Sequence, residues 1–522
     1  MVTVSGSSAA FFSDSCMNNL PTKILIANRS EIAVRIINGC QALGIATVAV
    51  YSEADSNSVH KLLADESVHI GNSPPLESYL NFDKIIDAAK VTAADAIHPG
   101  YGFLSENALF AERCHKENIK FIGPLPEAIR LMGDKIESRR VAAQAGVPVT
   151  PGMAGCASDI DSFRAEAARV GYPVLIKASA GGGGKGMRAV ENESELEAAI
   201  EAAQREAQNA FGDDRVYLEK MIVNPRHIEF QILADEHGHC MHLFERECSI
   251  QRRHQKIIEE TPSVALDENL RQKMGDDAVK VAKAANYANA GTIEFLLDEN
   301  GDYYFLEMNT RLQVEHPITE MVTGIDLVAE QIKIAAGHKL GKHLKNISQN
   351  GHAIECRIYA EDADNNFMPS IGKILFYQEP VGDGVRVDSG VATGSKITID
   401  YDPIMSKLIV HAPDRQAAIS KMVEALKSYK ILGVKTCRYF ITKILEHENF
   451  ASGRTFTNFI ETNMTNLPHS SNGVESYNEL AAAAAAMLSF CSSARRLSDS
   501  DDLQPSPWNI IGDWSIGGSI SG

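Results

Sequence analysis

The sequence predicts an α/β chain of more than one domain, opening with a Rossmann-like unit. Three observations carry this reading. At 522 residues the chain is too long for one ordinary core and suggests two to four domains. From Thr22 onward, apolar strand runs alternate with helical patterns, the βαβ rhythm of a parallel sheet with flanking helices. Further along, YPVLIKASAGGGGKGMRAV (172–190) reads as a strand, a glycine loop and a strand, the centre of a second unit.

TKILIAN is the first strand, and Ile32, Ile36, Ile37, Cys40 and Leu43 then recur at helical spacing. ATVAVYS is the second strand, and the alternation continues through FDKIIDAAKVTAA, DAIHPG, SENALFAERCHKEN and IKFIG to about Gly123. The first strand-to-helix turn reads ANRSEIA where a dinucleotide fold carries G-x-G-x-x-G, so the fold shape is expected without the dinucleotide. The second unit starts near Pro124. A third, from about Gly351, has short strand-like runs such as HAIECRIYAE and SKLIVHA. After Phe459 the composition shifts to Asn, Ser, Ala and Asp, which reads as a linker over 466–505 with one alanine-rich helix at 478–491.

The net charge of -18 argues against a protein that coats nucleic acid, while leaving room for a local cationic pocket. No apolar run reaches the length of about 18 residues that a membrane-spanning helix needs. The 9 cysteines form no CxxC pair, which fits reduced thiols better than a disulfide framework. No basic residue precedes Lys23, so neither a secretory nor a mitochondrial leader is read, and the cytoplasm is the expected compartment.

Two stretches suggest chemistry. GGGGKGM leaves the end of the VLIKAS strand, and four glycines allow the backbone to close over phosphate oxygens with Lys177 and Lys185 nearby. The same loop also reads as a flexible surface hairpin, and it is not a Walker A motif. GTIEFLLDENGDYYFLEMN reads as two strands joined by a two-residue turn at Asn300-Gly301. Opposed residues then sum to 601, which sets Glu294 against Glu307 with Asn309 on the same face. Like charges directly opposite each other repel, so this pair needs a cation, and two carboxylates with an amide oxygen suit Mg²⁺. A register one residue off would leave one glutamate solvated. Beyond that strand stand Arg311, Gln313, Glu315 and His316. An arginine fork suits a small planar oxyanion, and a nearby glutamate suits proton removal. SIQRRHQKIIEE (249–260) alone reads as a solvated basic loop, and Arg357 in ECRIYAED as a salt-bridge partner.

KILIANRSEIAVRI, HPGYGFLSEN, GGGGKGM, HIEFQILAD, ECSIQRRHQKIIEE, EMNTRLQVEHPITE and ECRIYAED occur in this order, and together they resemble biotin carboxylase over about residues 21–465. The resemblance implies a disordered extension over 1–20 and an N-terminal Rossmann-like (pre-ATP-grasp) domain over 21–135. It implies a central ATP-grasp domain over 136–350 with a mobile lid at about 150–223, and a C-terminal β-rich domain over 351–465. Residues 466–522 become a linker and the start of a following region. ATP, with Mg²⁺ or Mn²⁺, is the implied cofactor, and biotin is a carried substrate.

The resemblance implies that Lys135, Lys177 and His227 hold phosphate and ribose-side groups of ATP, under the loop Gly182, Gly183, Gly184, Lys185, Gly186 and Met187. Glu219 would stand at the adenine edge, and Gln251 and His254 would line the pocket. Glu294 and Glu307 would bind metal with Asn309 adjoining. Arg311, Gln313 and the Val314 amide would bind bicarbonate, and Glu315 would deprotonate it. Lys256 would hold bicarbonate or carboxyphosphate, and Arg357 would stabilise the biotin enolate. His316 receives no role, and Asp402 is a candidate for orienting Arg357. Ser30 replaces the family's glycine, and serine is a good N-cap there. Expected partners are a biotin carboxyl carrier protein or domain and a carboxyltransferase subunit, in a homodimer or larger complex, as in acyl-CoA carboxylase α-subunits, whose following region SPWNIIGDWSIGG (506–518) resembles. The competing readings are another ATP-grasp ligase, carbamoyl-phosphate synthetase-like or purine-pathway, and an inactive scaffold.

Overall fold

The computed structural model describes residues 19–464, apart from 158 and 180–185, together with Ala484. Gly182, Gly183, Gly184 and Lys185, almost all of the N-terminal extension, and the linker with its alanine-rich helix therefore lie outside the described residues.

Near the N-terminus, β1 (Lys23–Ile26), β2 (Ala46–Ser52), β3 (Glu66–Gly71), β4 (Ala96–His98) and β5 (Lys120–Phe121) form a parallel sheet in the order β3-β2-β1-β4-β5. Successive residues of β1 serve opposite faces, as a pleated strand requires. Ile24 and Ile26 pack with Ile32, Ile36 and Ile37 of the helix Ser30–Ala42. Leu25 packs with Ile85, Ile86 and Phe110 on the other side. Edge strand β3 is mostly exposed and carries no apolar run, so its sequence did not announce it.

At the first turn the expectation fails. The N-cap is Arg29, in extended conformation, and Ser30 is the first helical residue with φ +59°. No side chain caps this helix. The left-handed region is disfavoured for a residue with a Cβ, and Gly390 crosses so closely that a Cβ on it would meet Ser30 Oγ at 2.2 Å. Ser30→Gly is therefore expected to stabilise the fold by on the order of 1 kcal/mol, the strain relieved less the extra chain entropy of glycine. An unchanged or lower urea midpoint would contradict this.

A small antiparallel sheet of β6 (Val174–Ala178), β7 (Arg188–Val190) and β8 (Val216–Lys220), ordered β7-β6-β8, packs against the helices Ile160–Val170 and Glu193–Phe211. It has its own core around Phe163, Ile176, Leu196 and Leu218.

The largest sheet contains β9 (Arg226–Ala234), β10 (Cys240–Arg252), β11 (Gln255–Thr261), β12 (Asn289–Leu297), β13 (Tyr303–Asn309) and β14 (His352–Tyr359), followed by the strands Ile404–Ala412 and Val385–Ser389. Its order is β13-β12-β9-β10-β11-β14, then Ile404–Ala412, then Val385–Ser389. The third sequence region thus continues the sheet of the second. One face is apolar: Ile228, Phe230, Ile232, Ile293, Phe295, Phe305 and Met308 share a core with Met274, Ala278 and Val281 of the helix Glu268–Ala284. The opposite face carries alternate residues of the same strands, polar at His227, Glu229, Gln231, Thr292, Glu294, Glu307 and Asn309, with Leu233 and Ala290 joining the other apolar core beyond them.

The β12–β13 hairpin realises the expected pairing by a different route. Asp298 N–H donates to the Asp302 carbonyl, so the connection is the three residues Glu299, Asn300 and Gly301, with Gly301 at φ +87°. Asp298 Oδ1 also accepts from the backbone of Asn300 and Asp302. Near this loop, opposed residues sum to 600, as in Phe295↔Phe305. A bulge at Leu306 then adds one residue, and Glu294 faces Glu307 while Thr292 faces Asn309. The bulge lets Phe305 and Met308 both reach the apolar core and turns Glu307 and Asn309 to the polar face.

Candidate active site

The polar face is laid down by alternation on buried strands. In HIEFQ of β9, His227, Glu229 and Gln231 point one way and Ile228 and Phe230 the other. Register sets Glu229 between Glu294 and Arg246. Arg246 is fully buried; it donates to Glu229 at 2.5 Å, Gln231 at 2.8 Å and Thr319 at 3.0 Å. Buried charges are tolerated only when paired, and here each cation has several partners.

Lys256 is the hub. Its ammonium donates to Glu229 at 2.6 Å, Glu315 at 2.7 Å and Glu294 at 2.8 Å. Burial alone would lower its pKa, but the three carboxylates outweigh burial and hold it well above the usual lysine range. The same balance, reversed, holds Glu294 and Glu315 well below the usual carboxylate range: burial raises them, Lys256 lowers them further, and His227 assists at Glu294 and Arg357 at Glu315. Lys256 stands opposite Gln251 in the β10–β11 hairpin, whose turn residues Arg253 and His254 take φ +50° and +66°. Turns with two such residues favour glycine and asparagine, so QRRHQK did not read as a hairpin tip. Of its charges, Arg252 is anchored on Glu361 at 2.9 Å and over the Phe367 ring.

Glu294 and Glu307 are directly opposed, with Asn309 two residues along, as the metal reading requires. As the side chains stand, Glu294 Oε1 accepts from Lys256, from Asn309 Nδ2 at 2.9 Å and from Gln313 Nε2 at 3.0 Å, and its Oε2 lies 3.0 Å from His227 Nε2. Asn309 Oδ1 accepts from Arg311. Two facing carboxylates with an adjoining amide fit a hard divalent cation. His227, Glu229 and Glu294 form a second group whose donor atoms lie within 4.8 Å of one another.

Arg311 is aimed by four acceptors: Glu106 at 2.8 Å, the side-chain oxygens of Asn309 and Gln313 at 2.9 Å each, and the Leu312 carbonyl at 3.3 Å. Glu106, in HPGYGFLSEN of the N-terminal unit, also accepts from Thr310 N at 3.0 Å. His316 Nδ1 donates to the Gln313 carbonyl at 2.7 Å, and burial holds its pKa well below the usual range. It closes the turn as a neutral ring, which accounts for a histidine with no chemical role.

Among the residues expected to meet the nucleotide, Lys177 donates to Glu219 at 2.8 Å and Arg139 reaches the other Glu219 oxygen at 3.0 Å. Burial lowers the Lys177 pKa, but Glu219 outweighs it and the ammonium stays charged. Lys135 begins the helix Lys135–Gln144; burial lowers its pKa, and the Glu307 charge opposes this. Gln251 Nε2 donates to His227 Nδ1 at 3.0 Å. His254 has its pKa lowered by burial, and the Lys177 charge adds to this. Gly186 takes φ +71°, where a Cβ would stand 3.0 Å from that of Ala178, and Met187 follows it immediately before β7.

Arg357 donates to Glu259 at 2.6 Å and to Glu315 at 3.0 Å. Asp402 Oδ1 accepts from Ile404 N instead, so Glu259 and Glu315, not Asp402, orient the guanidinium. Sequence reasoning missed Glu106, Arg139, Glu229, Arg246 and Glu259. For Glu229, and for Glu259 in KIIEE, the signal was available: a charged residue within a buried strand needs a charged partner.

Residues 21–129 match the profile described as Biotin carboxylase, N-terminal domain; residues 134–343 that described as Carbamoyl-phosphate synthase L chain, ATP binding domain; and residues 355–462 that described as Biotin carboxylase C-terminal domain. Biotin carboxylase 2 of Bacillus subtilis is 54% identical over 443 residues, covering 85% of this chain and 100% of that protein. The mitochondrial methylcrotonoyl-CoA carboxylase subunit alpha of Rattus norvegicus is 48% identical over 487 residues, covering 93% of this chain and 68% of that one. Among solved structures, a biotin carboxylase–β,γ-ATP complex from Campylobacter jejuni superposes with TM-score 0.83 at 48% identity, over 86% of this chain and 100% of that one. The biotin carboxylase domain dimer of Hydrogenobacter thermophilus 2-oxoglutarate carboxylase, with MgADP, ADP and bicarbonate, superposes with TM-score 0.82 at 49% identity, over 85% of this chain and 97% of that one.

Proposed function

The chain belongs to the biotin carboxylase family, and we propose that the polar sheet face carries out ATP-dependent carboxylation of protein-borne biotin with bicarbonate. The observation that carries this reading is Glu315, whose two oxygens accept from Lys256 and Arg357 respectively. One carboxylate thereby joins the phosphate side of the site to the side where a biotin ring would lie. The middle domain alone also suits a carbamoyl-phosphate enzyme, but the flanking N- and C-terminal domains do not.

Lys135 and Lys177 bind the ATP phosphates, and Glu294, Glu307 and Asn309 hold the divalent cation, which supplies charge neutralisation at those phosphates. Arg311, Gln313 and the Val314 N–H hold bicarbonate. Glu315 is a weak base while Lys256 and Arg357 grip it. Once bicarbonate shares the Lys256 ammonium, Glu315 regains basicity and takes the bicarbonate proton. A bicarbonate oxygen then bonds to the γ-phosphorus, and the bond from that phosphorus to ADP breaks. The lid keeps water from the resulting carboxyphosphate. Cleavage of its carbon–oxygen bond gives CO₂ and phosphate; the phosphate takes the ureido N–H proton, and the nitrogen bonds to CO₂. Arg357 faces the negative charge that grows on the ureido oxygen.

A biotin carboxyl carrier protein or domain presents the biotin, a carboxyltransferase consumes the carboxybiotin as the second half-reaction of an acyl-CoA carboxylase, and the working form is a homodimer or larger complex. Among the described residues, no helix is long and apolar enough to cross a membrane. ADP release should require bicarbonate and rise when free biotin is added. ATP cleavage indifferent to both would contradict the proposal.

A further inference from the structure

Behind the Arg311–Glu315 turn lies a charged group that the mechanism does not use. Lys407, in the middle of the strand Ile404–Ala412, is 0% exposed. It stands opposite Arg357 on one neighbouring strand and Asp388 on the other. Its ammonium donates to the Val314 carbonyl at 2.7 Å, with Glu31 at 3.7 Å and Asp388 at 3.8 Å. That carbonyl belongs to the peptide joining Val314, whose N–H faces the anion, to Glu315, the base. His316 grips the same turn one peptide earlier, at the Gln313 carbonyl.

A fully buried ammonium is expensive, and an apolar side chain of similar length often serves a core better. Two of the carboxylates around Lys407 accept no hydrogen bond from it. Both oxygens of Glu31 are buried without a hydrogen-bond partner, and so are both oxygens of Glu355, on which the Lys407 charge also acts. Burial pushes the Glu31 carboxyl up to about 7, against the pull of Lys407. Lys407 supplies what methionine cannot: a directed bond to the turn, backed by Glu31 in the first turn of the helix Ser30–Ala42.

We propose that Lys407 is a positioning residue for the bicarbonate turn: held between Glu31 and Asp388, it fixes the Val314–Glu315 peptide so that the Val314 N–H and the Glu315 carboxylate meet the anion together. The inference rests on the bicarbonate reading of that turn. Errors of about 1 Å in such placement can lower rates by about 10²-fold.

The test compares wild type, Lys407→Met, and Lys407→Met with Glu31→Gln, which removes both charges of the pair and so protects the fold if the single variant loses it. The Michaelis constants for bicarbonate and ATP are measured separately in the ADP-release assay. A folded variant is expected to raise the bicarbonate constant by about tenfold or more and to move the ATP constant by less than about twofold. An unchanged bicarbonate constant, or equal changes in both, overturns the inference. Failure of both variants to fold overturns it too, since Lys407 would then be a folding element. A wild type whose ATP cleavage ignores bicarbonate would sink the functional reading instead, before any variant is compared.

Discussion

Arg357→Met should lower carboxybiotin formation by roughly 10²–10³-fold, the range found when a preorganised donor to a developing oxyanion is removed. Bicarbonate-dependent ATP cleavage without biotin should fall far less, by less than about tenfold. The asymmetry follows from position. Arg357 donates to Glu315 and Glu259 but to none of Glu294, Asn309 or Gln313, so the anion and metal sides keep their own contacts. Comparing carboxybiotin yield with ADP release in the same variant reads this directly. Equal losses in both would place Arg357 in bicarbonate activation rather than at the biotin ring.

Lys256→Met should be more damaging. It leaves Glu229, Glu294 and Glu315 facing one another without the ammonium that touches all three. Breaking a buried ion pair from one side destabilises by about 3–5 kcal/mol, and bicarbonate-dependent ATP cleavage should fall by about 10²-fold or more. The pH dependence has a definite sign. In the wild type Glu294 and Glu315 are held below their ordinary range, so the stability they confer is present above the unfolded carboxylate pKa and is lost only as pH falls through the lower folded values. In the variant the three crowded carboxylates keep Arg246, His227 and Arg357 but lose the ammonium they share, so their folded-state pKa values rise relative to the wild type. The stability they confer above the unfolded carboxylate pKa is then reduced, while below it the two proteins differ less. Urea melts at pH 5 and pH 8 should show a larger deficit at pH 8. A deficit independent of pH would mean that the three carboxylates are not the variant's problem.

How much of this was written legibly in the chain depends on the kind of signal. Alternation on β1 and in the β12–β13 hairpin gave the layers and the Glu294–Glu307 pairing, because a pleated strand has a period of two and little freedom. That pairing was reached with the wrong turn. A loop one residue longer than expected and a bulge at Leu306 cancel, and neither leaves a mark that pattern reasoning detects. Ser30 reads locally as a helix cap and stands instead in the left-handed region, because the close crossing of Gly390 is a contact from far along the chain.

The Arg311–Glu315 turn, the strand bearing Glu307 and Asn309, and Arg357 came from motifs. What holds them did not: Glu106 lies 205 residues before Arg311, and Glu259 98 before Arg357. Distances of that kind are set by the tertiary fold alone. The continuous sheet from β13 to Val385–Ser389 was equally hidden, since a composition shift marks chain segments and not shared hydrogen-bond ladders.

The claim on which the rest depends is that a bicarbonate oxygen bonds to the γ-phosphorus at this site. Supplying [¹⁸O]bicarbonate with unlabelled ATP and water tests it in one measurement. If carboxyphosphate forms and breaks at its carbon–oxygen bond, the bridging oxygen stays with phosphorus, and each turnover yields inorganic phosphate carrying one oxygen from bicarbonate. Phosphate carrying no ¹⁸O, its new oxygen having come from water, would contradict the account.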